Sequence, residues 1–142
     1  MEKVVIINGP NLNLLGRRNP DIYGSETFEQ TLEKLRKLFP DVEIEYFQSN
    51  SEGEIIDKLH AVGFDATIKG VVMNPGAYAH YSYAISDAVE AISRPVIEVH
   101  ISDIKQREDF RHQSVTTRCA KAMIAGAGRD GYRMAIEQIL AL

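Results

Sequence analysis

Cysteine is nearly absent: Cys119 is the only one among 142 residues. No disulfide can close within the chain, and no cysteine-rich metal site can be built. Such usage fits a reducing compartment. Long apolar runs are also missing. Val4–Ile7 meets Asn8-Gly9-Pro10 after four residues, too short for a signal peptide or a membrane span, so a soluble, cytoplasmic protein is expected. Positive charge is not in excess. Sixteen Lys and Arg against 20 Asp and Glu give a net charge of −4, which repels phosphate backbones and acidic membrane surfaces and argues against nucleic acid or membrane as partner.

Several kinds of chemistry lack their motifs. His80 and His100 stand twenty residues apart with no HxxxH or HxH pair, and no carboxylate cluster completes a set, so no metal is expected. There is no GxSxG elbow and no Walker lysine. Gly126-Ala127-Gly128-Arg129-Asp130-Gly131 has GxGxxG spacing, but it follows the last strand rather than opening a βαβ unit. It reads as a tight turn into the final helix. Repeats, low-complexity tracts and linkers are absent.

What is present is alternation. With 44% apolar and 25% charged residues, the chain has ordinary globular composition and the length of one domain. Short β-branched runs predict strands at Lys3–Asn8, Val42–Gln48, Ile68–Asn74, Val96–His100 and roughly Cys119–Ala125. Helical periodicity predicts Phe28–Phe39 behind a Thr27/Gln30 capping box, Glu54–Val62 ended by Gly63, Tyr78–Ile92, and Gly131–Leu142. Leu38 continues the apolar stripe of the first helix, and His60 falls on the stripe of the second. This layout is that of an α/β protein with a parallel sheet.

In such a sheet, ligands bind beyond the carboxyl ends of the strands, where strand order reverses. With order 2-1-3-4-5, one pocket collects Asn8–Asn11, Asn74–His80 and His100–Asp103. The Gly9–Ser25 connection, far longer than the usual two to six residues, brings Arg17, Arg18 and Tyr23. Arg107 and Arg111 follow the fourth strand, so the pocket is cationic and an anionic small molecule is the expected ligand. Glu98 precedes His100 by two residues and shares its strand face. It can orient the imidazole and favour its protonated form, which suits a general acid. His112 lies in a charged stretch and is expected to be exposed. Each residue also has a purely structural reading. Gly and Pro form turns, loop arginines are commonly solvated, the Tyr23 ring can pack on the first strand, and Glu98 can be a buried partner.

The segments NGPNLNLLGRRNPDIYG (8–24), QSNSEGEIIDKLH (48–60), NPGAYAHYSYAISDAV (74–89), EVHISD (98–103), REDFRHQS (107–114) and GAGRDGY (126–132) resemble, in one order, the type II 3-dehydroquinate dehydratases. The resemblance implies a single flavodoxin-like domain over 1–142, with a five-stranded parallel sheet of order 2-1-3-4-5 and helices on both faces. It implies conversion of 3-dehydroquinate to 3-dehydroshikimate and water without metal, Schiff base or other cofactor. It also implies trimers gathered into a homododecamer. Residue by residue, Tyr23 matches the base at C2 and Arg18 the loop arginine beside it, with Arg111 a second candidate for steadying the phenolate. Asn11 matches the residue holding a water against the enolate, and His100, oriented by Glu98, the acid at the departing hydroxyl. Asn74, His80 and Arg111 match ligands of the substrate hydroxyls, Ile101 and Ser102 donors to its carboxylate, and Asp87 a position reaching a neighbouring subunit's site.

Asp103, Ala79 and Tyr81 depart from the family's usual Asn, Thr and Thr, which touches substrate affinity more than reaction class. Two other readings compete: a flavodoxin-like module that binds a polyol carboxylate or nucleotide without turnover, and a flavin- or nucleotide-dependent oxidoreductase. Retention of Tyr23, Arg18, His100 and Glu98 together favours the dehydratase.

Overall fold

A computed structural model describing residues 1–142 turns these patterns into strands β1 (Glu2–Asn8), β2 (Val42–Gln48), β3 (Ile68–Asn74), β4 (Val96–His100) and β5 (Ala122–Ala125). The helices are α1 (Pro20–Tyr23), α2 (Phe28–Leu38), α3 (Glu52–Val62), α4 (Tyr83–Ala91) and α5 (Asp130–Leu140). Every strand pair is parallel and the order is β2-β1-β3-β4-β5. This is the flavodoxin-like arrangement expected. No helix is long and apolar enough to cross a membrane.

Residues Val4 to Ile7 and Val71 to Met73 are wholly buried, because the sheet is covered on both faces and alternate side chains meet different helices. Val4, Ile6 and Val72 pack with Leu32 and Leu35 of α2 and with Ile136 and Ile139 of α5. Val5, Ile7, Val71 and Met73 pack instead with Ile55 and Leu59 of α3 and with Ile85 and Val89 of α4. Each aliphatic side chain so buried is worth about 1.5–3 kcal/mol, which makes the central strands the main source of stability.

Local chemistry sets most boundaries. Thr27 and Gln30 form the expected capping box on α2, and the helix stops at Leu38, before Pro40. Leu38 itself is exposed, and the next residue, Phe39, packs against the core in its place. The Ser51 side chain accepts the Glu54 N–H, so α3 starts two residues earlier than the periodicity indicated. Gly63 ends α3, but with φ −70° it is no left-handed cap. A Cβ there would lie 2.3 Å from Ile92 Cγ2, so close packing against the residue after α4 requires glycine. His60 is exposed in the last turn of α3, not in the core.

The single helix expected over Tyr78–Ile92 is two pieces. A 3₁₀ turn spans Gly76–His80, Tyr81 leaves helical geometry at φ −151°, and α4 begins at Tyr83. Ser82 causes the restart by accepting the Ile85 N–H at 3.0 Å. β5 begins at Ala122, three residues later than expected, because Thr116–Cys119 is a 3₁₀ turn. The long Gly9–Ser25 connection is likewise ordered, as a 3₁₀ turn at Leu12–Leu14 followed by α1.

Candidate active site

Strands β1, β3 and β4 end at Asn8, Asn74 and His100, and Asn8 and Asn74 are register partners across the switch point. Both lie on the α5 face, where Tyr132 ties them together. Its hydroxyl donates to Asn8 Oδ1 and accepts from Asn74 Nδ2, each at 2.9 Å. Burial pushes the Tyr132 phenol up, so it works as a neutral connector. Asn74 Oδ1 also accepts the Gly76 N–H at 3.1 Å, which fixes the amide plane at the cavity floor.

Tyr23, Arg18, His100 and His80 line one cavity above these strand ends. Asn74, Ile101, Ser102 and Arg111 complete its predicted walls. The proposed base and acid therefore face the same space. Its volume is about 30 Å³, room for one or two waters, so a larger ligand requires lining side chains to move.

Arg107 emerges as the chief partner of the tyrosine. Its Nη1 donates to Tyr23 Oη at 2.9 Å and to Ser102 Oγ at 3.2 Å. Arg18 lies over the ring, with Cζ 4.3 Å from the centroid, a cation–π contact. Arg111 instead donates to Glu108 at 2.6 Å while still lining the cavity. Sequence reasoning placed Arg107 among the pocket cations but gave the phenol to Arg18, then Arg111. Chain order carries no signal for which guanidinium reaches the oxygen.

Glu98 is fully buried and accepts from His100 Nε2 at 2.7 Å and from Ser114 Oγ at 2.6 Å, with Thr116 and Thr117 hydroxyls as further donors. Burial pushes its carboxyl up. The His100 hydrogen bond and charge, together with the hydroxyls of Ser114 and Thr116, more than offset this and hold it below the ordinary 4.5. An ionised carboxylate only accepts, so His100 Nε2 carries its hydrogen and Nδ1 is the nitrogen left for a ligand. The hydroxyls of Ser114, Thr116 and Thr117 went unnoticed in the sequence; their clustering just after Arg111 was the available signal.

The sign of the Glu98 effect fixes a pH dependence. A carboxyl held low in the folded state contributes stability above its unfolded value, and the contribution vanishes as pH falls through the folded value. Glu98→Gln is expected to lower the thermal midpoint at neutral pH and to flatten its decline below pH 4.5; parallel acid limbs for parent and variant count against this coupling.

His80 Nδ1 donates to the Gln113 carbonyl at 2.7 Å. Burial pushes its proton affinity down, and the His100 and Arg111 charges add to that. The neutral ring thus offers Nε2 as an acceptor, suited to a hydroxyl. The Gly126–Gly128 turn supports the opposite wall. Gly126 N–H donates to the Ser102 carbonyl at 3.2 Å and Gly128 N–H to that of Ile101 at 3.1 Å. Both glycines have positive φ, 79° and 60°, which a side chain would strain. This is the tight turn that the sequence indicated.

Other expected residues lie elsewhere. Asn11 is exposed, one residue before the cavity-lining Leu12, with its N–H bonded to Asn50 Oδ1 at 3.0 Å. Arg17 is exposed and His112 is exposed as expected. Asp87 projects from α4 with 74% of its side chain accessible and meets Arg118 at 3.7 Å. Among the departures from the family pattern, Ala79 is buried, Tyr81 is exposed, and Asp103 caps a turn by accepting the Lys105 N–H. None of the three lines the cavity. No three His, Cys, Asp or Glu side chains converge on a point that could hold a metal ion.

The chain is similar to known proteins over nearly all its length. The family model described as dehydroquinase class II matches residues 2–140. A 3-dehydroquinate dehydratase of Caldicellulosiruptor bescii is 50% identical over 138 residues, covering 96% of this chain and 94% of that protein. Among solved structures, the type II dehydroquinase of Butyrivibrio crossotus superposes with TM-score 0.93 at 46% identity, covering 98% of this chain and 97% of its own. That of Propionibacterium acnes superposes with TM-score 0.94 at 38% identity, covering 100% and 98%. Shared sequence, shared fold and a family model spanning the whole sheet lead to one conclusion: the chain belongs to the class II dehydroquinase family.

Proposed function

We propose that this chain removes water from 3-dehydroquinate to give 3-dehydroshikimate, in the shikimate pathway, through an enolate and with side chains alone. The carrying observation is the shared cavity: a tyrosine whose oxygen accepts from Arg107 at 2.9 Å faces an imidazole backed by a buried carboxylate. Tyr23, as the phenolate, takes the proton from C2, and the electron pair of that C–H bond moves to the ketone oxygen as the enolate. Asn11, through a bound water, is the assigned donor to that oxygen; a positioned donor there is worth about 3–4 kcal/mol. The enolate then collapses, the C1–O bond breaks, and the proton on His100 Nδ1 leaves with the hydroxyl as water. Proton return from Tyr23 to His100 through solvent resets the site.

Asn74, neutral His80 and Arg111 hold the ring hydroxyls, and Ile101 and Ser102 the carboxylate. Asp87 serves a neighbouring subunit's site in a homododecamer built from trimers, a reading supported by its exposure and its absence from the cavity lining of its own chain. A cytoplasmic location completes the proposal.

Ultraviolet absorbance of the conjugated enone product tests it. With 3-dehydroquinate and excess EDTA, sustained turnover is expected. Saturable binding without absorbance change would leave the binding-module reading, and release of a flavin or nucleotide on denaturation would leave the oxidoreductase.

A further inference from the structure

Tyr23 ends a helix of four residues, far too short to hold itself together. Both flanks are left-handed, Asn19 at φ 31° and Gly24 at φ 79°, and the Tyr23 carbonyl, like other last-turn carbonyls, has no helical amide to receive. Something outside the turn must hold it. Arg107 grips the phenol oxygen, but that contact lies within the cavity, where a substrate has to enter.

The other grip is on the backbone. Arg129, the last residue of the turn between β5 and α5, has a largely buried side chain. Its Nε and Nη2 both donate to the Tyr23 carbonyl, at 3.2 and 2.7 Å. Its Nη1 donates to the Thr27 carbonyl at 3.2 Å and to Thr31 Oγ1 at 2.9 Å, and Glu26 supplies the counter-charge at 3.7 Å. One rigid guanidinium thus joins the end of α1 to the cap and first turn of α2.

We propose that Arg129 is a positioning residue for the catalytic base, pinning the Tyr23 backbone to the β5–α5 turn so that the phenol keeps its place when substrate displaces the cavity arginines. This rests on the reading of Tyr23 as base. Planar, forked geometry is essential to it: a lysine keeps the charge beside Glu26 but cannot span Tyr23 and Thr27 together.

Two variants test it, Arg129→Gln and Arg129→Lys, each compared with the parent by steady-state kinetics per folded enzyme and by peptide-level hydrogen exchange. Displacement of a reacting group by about 1 Å can cost on the order of a hundredfold in rate, so kcat is expected to fall about ten- to a hundredfold with KM changed far less. Exchange is expected to rise in the peptide carrying the amides of Ile22, Tyr23 and Gly24, and not in β1 or β3. If Arg129→Gln is recovered unfolded, the Lys variant decides. A kcat within twofold of the parent overturns the proposal, as does a fallen kcat with unchanged exchange at 19–27, or a rise in exchange spread over the whole chain. Tyr23→Phe separates the two ideas: if it stays active, the base assignment fails, whereas an inactive Tyr23→Phe beside a fully active Arg129→Gln removes only the Arg129 role.

Discussion

Tyr23→Phe is expected to lose about 10²- to 10⁴-fold in kcat, the usual contribution of a general base, while 3-dehydroquinate binds within a few-fold of the parent. The change deletes one oxygen and leaves the ring beneath Arg18, so packing and cation–π contact persist. What disappears is the atom that accepts from Arg107 and, in the proposed reaction, the C2 proton. Steady-state kinetics together with calorimetric binding of substrate measure the two effects separately. Turnover at the parental rate in Tyr23→Phe would end the assignment.

His100→Ala is expected to fall by a similar factor for a different reason. Without the imidazole the C1 hydroxyl must leave as hydroxide, and Glu98, walled in by Ser114, Thr116 and Thr117, cannot take over. The earlier step survives, because Tyr23 keeps its cavity position and its Arg107 contact. In deuterium oxide the His100→Ala enzyme should therefore still exchange the C2 hydrogen of 3-dehydroquinate while forming almost no product. Tyr23→Phe should do neither. NMR of recovered substrate distinguishes them, and washout in Tyr23→Phe but not in His100→Ala would reverse the roles of acid and base. Glu98→Gln should lie between parent and His100→Ala, since Gln can still accept from His100 Nε2 and orient the ring but without the strength of a charge-assisted hydrogen bond.

Much of this was legible before any coordinates. The apolar runs at Val4–Ile7 and Val71–Met73 specify strands covered on both faces, the Thr27/Gln30 pair specifies the start of α2, and the spacing of Glu98 and His100 puts them on one strand face. These are local properties, set by backbone periodicity and by side chains three or fewer residues apart. The break before α4 was masked because Tyr78–Ile92 keeps a helical composition throughout; only the Ser82 hydroxyl, capping a new start, interrupts it. His60 follows Ile56 at helical spacing, but the buried line of α3 runs through Ile55, Leu59 and Val62, and spacing alone does not tell which edge of an apolar stripe faces solvent.

The amino-acid order by itself determined the parallel α/β sheet, the strand ends where the polar residues gather, and the family whose motifs recur in sequence from residue 8 to 132. Tertiary structure decided which distant groups touch: Arg107 on the Tyr23 oxygen across 84 residues, Arg129 on the Tyr23 carbonyl across 106, and Tyr132 between Asn8 and Asn74. The division has a physical cause. Secondary structure answers to neighbours along the chain, whereas a long, flexible arginine finds its acceptor only once strands and turns remote in sequence have been brought within a few ångströms of each other.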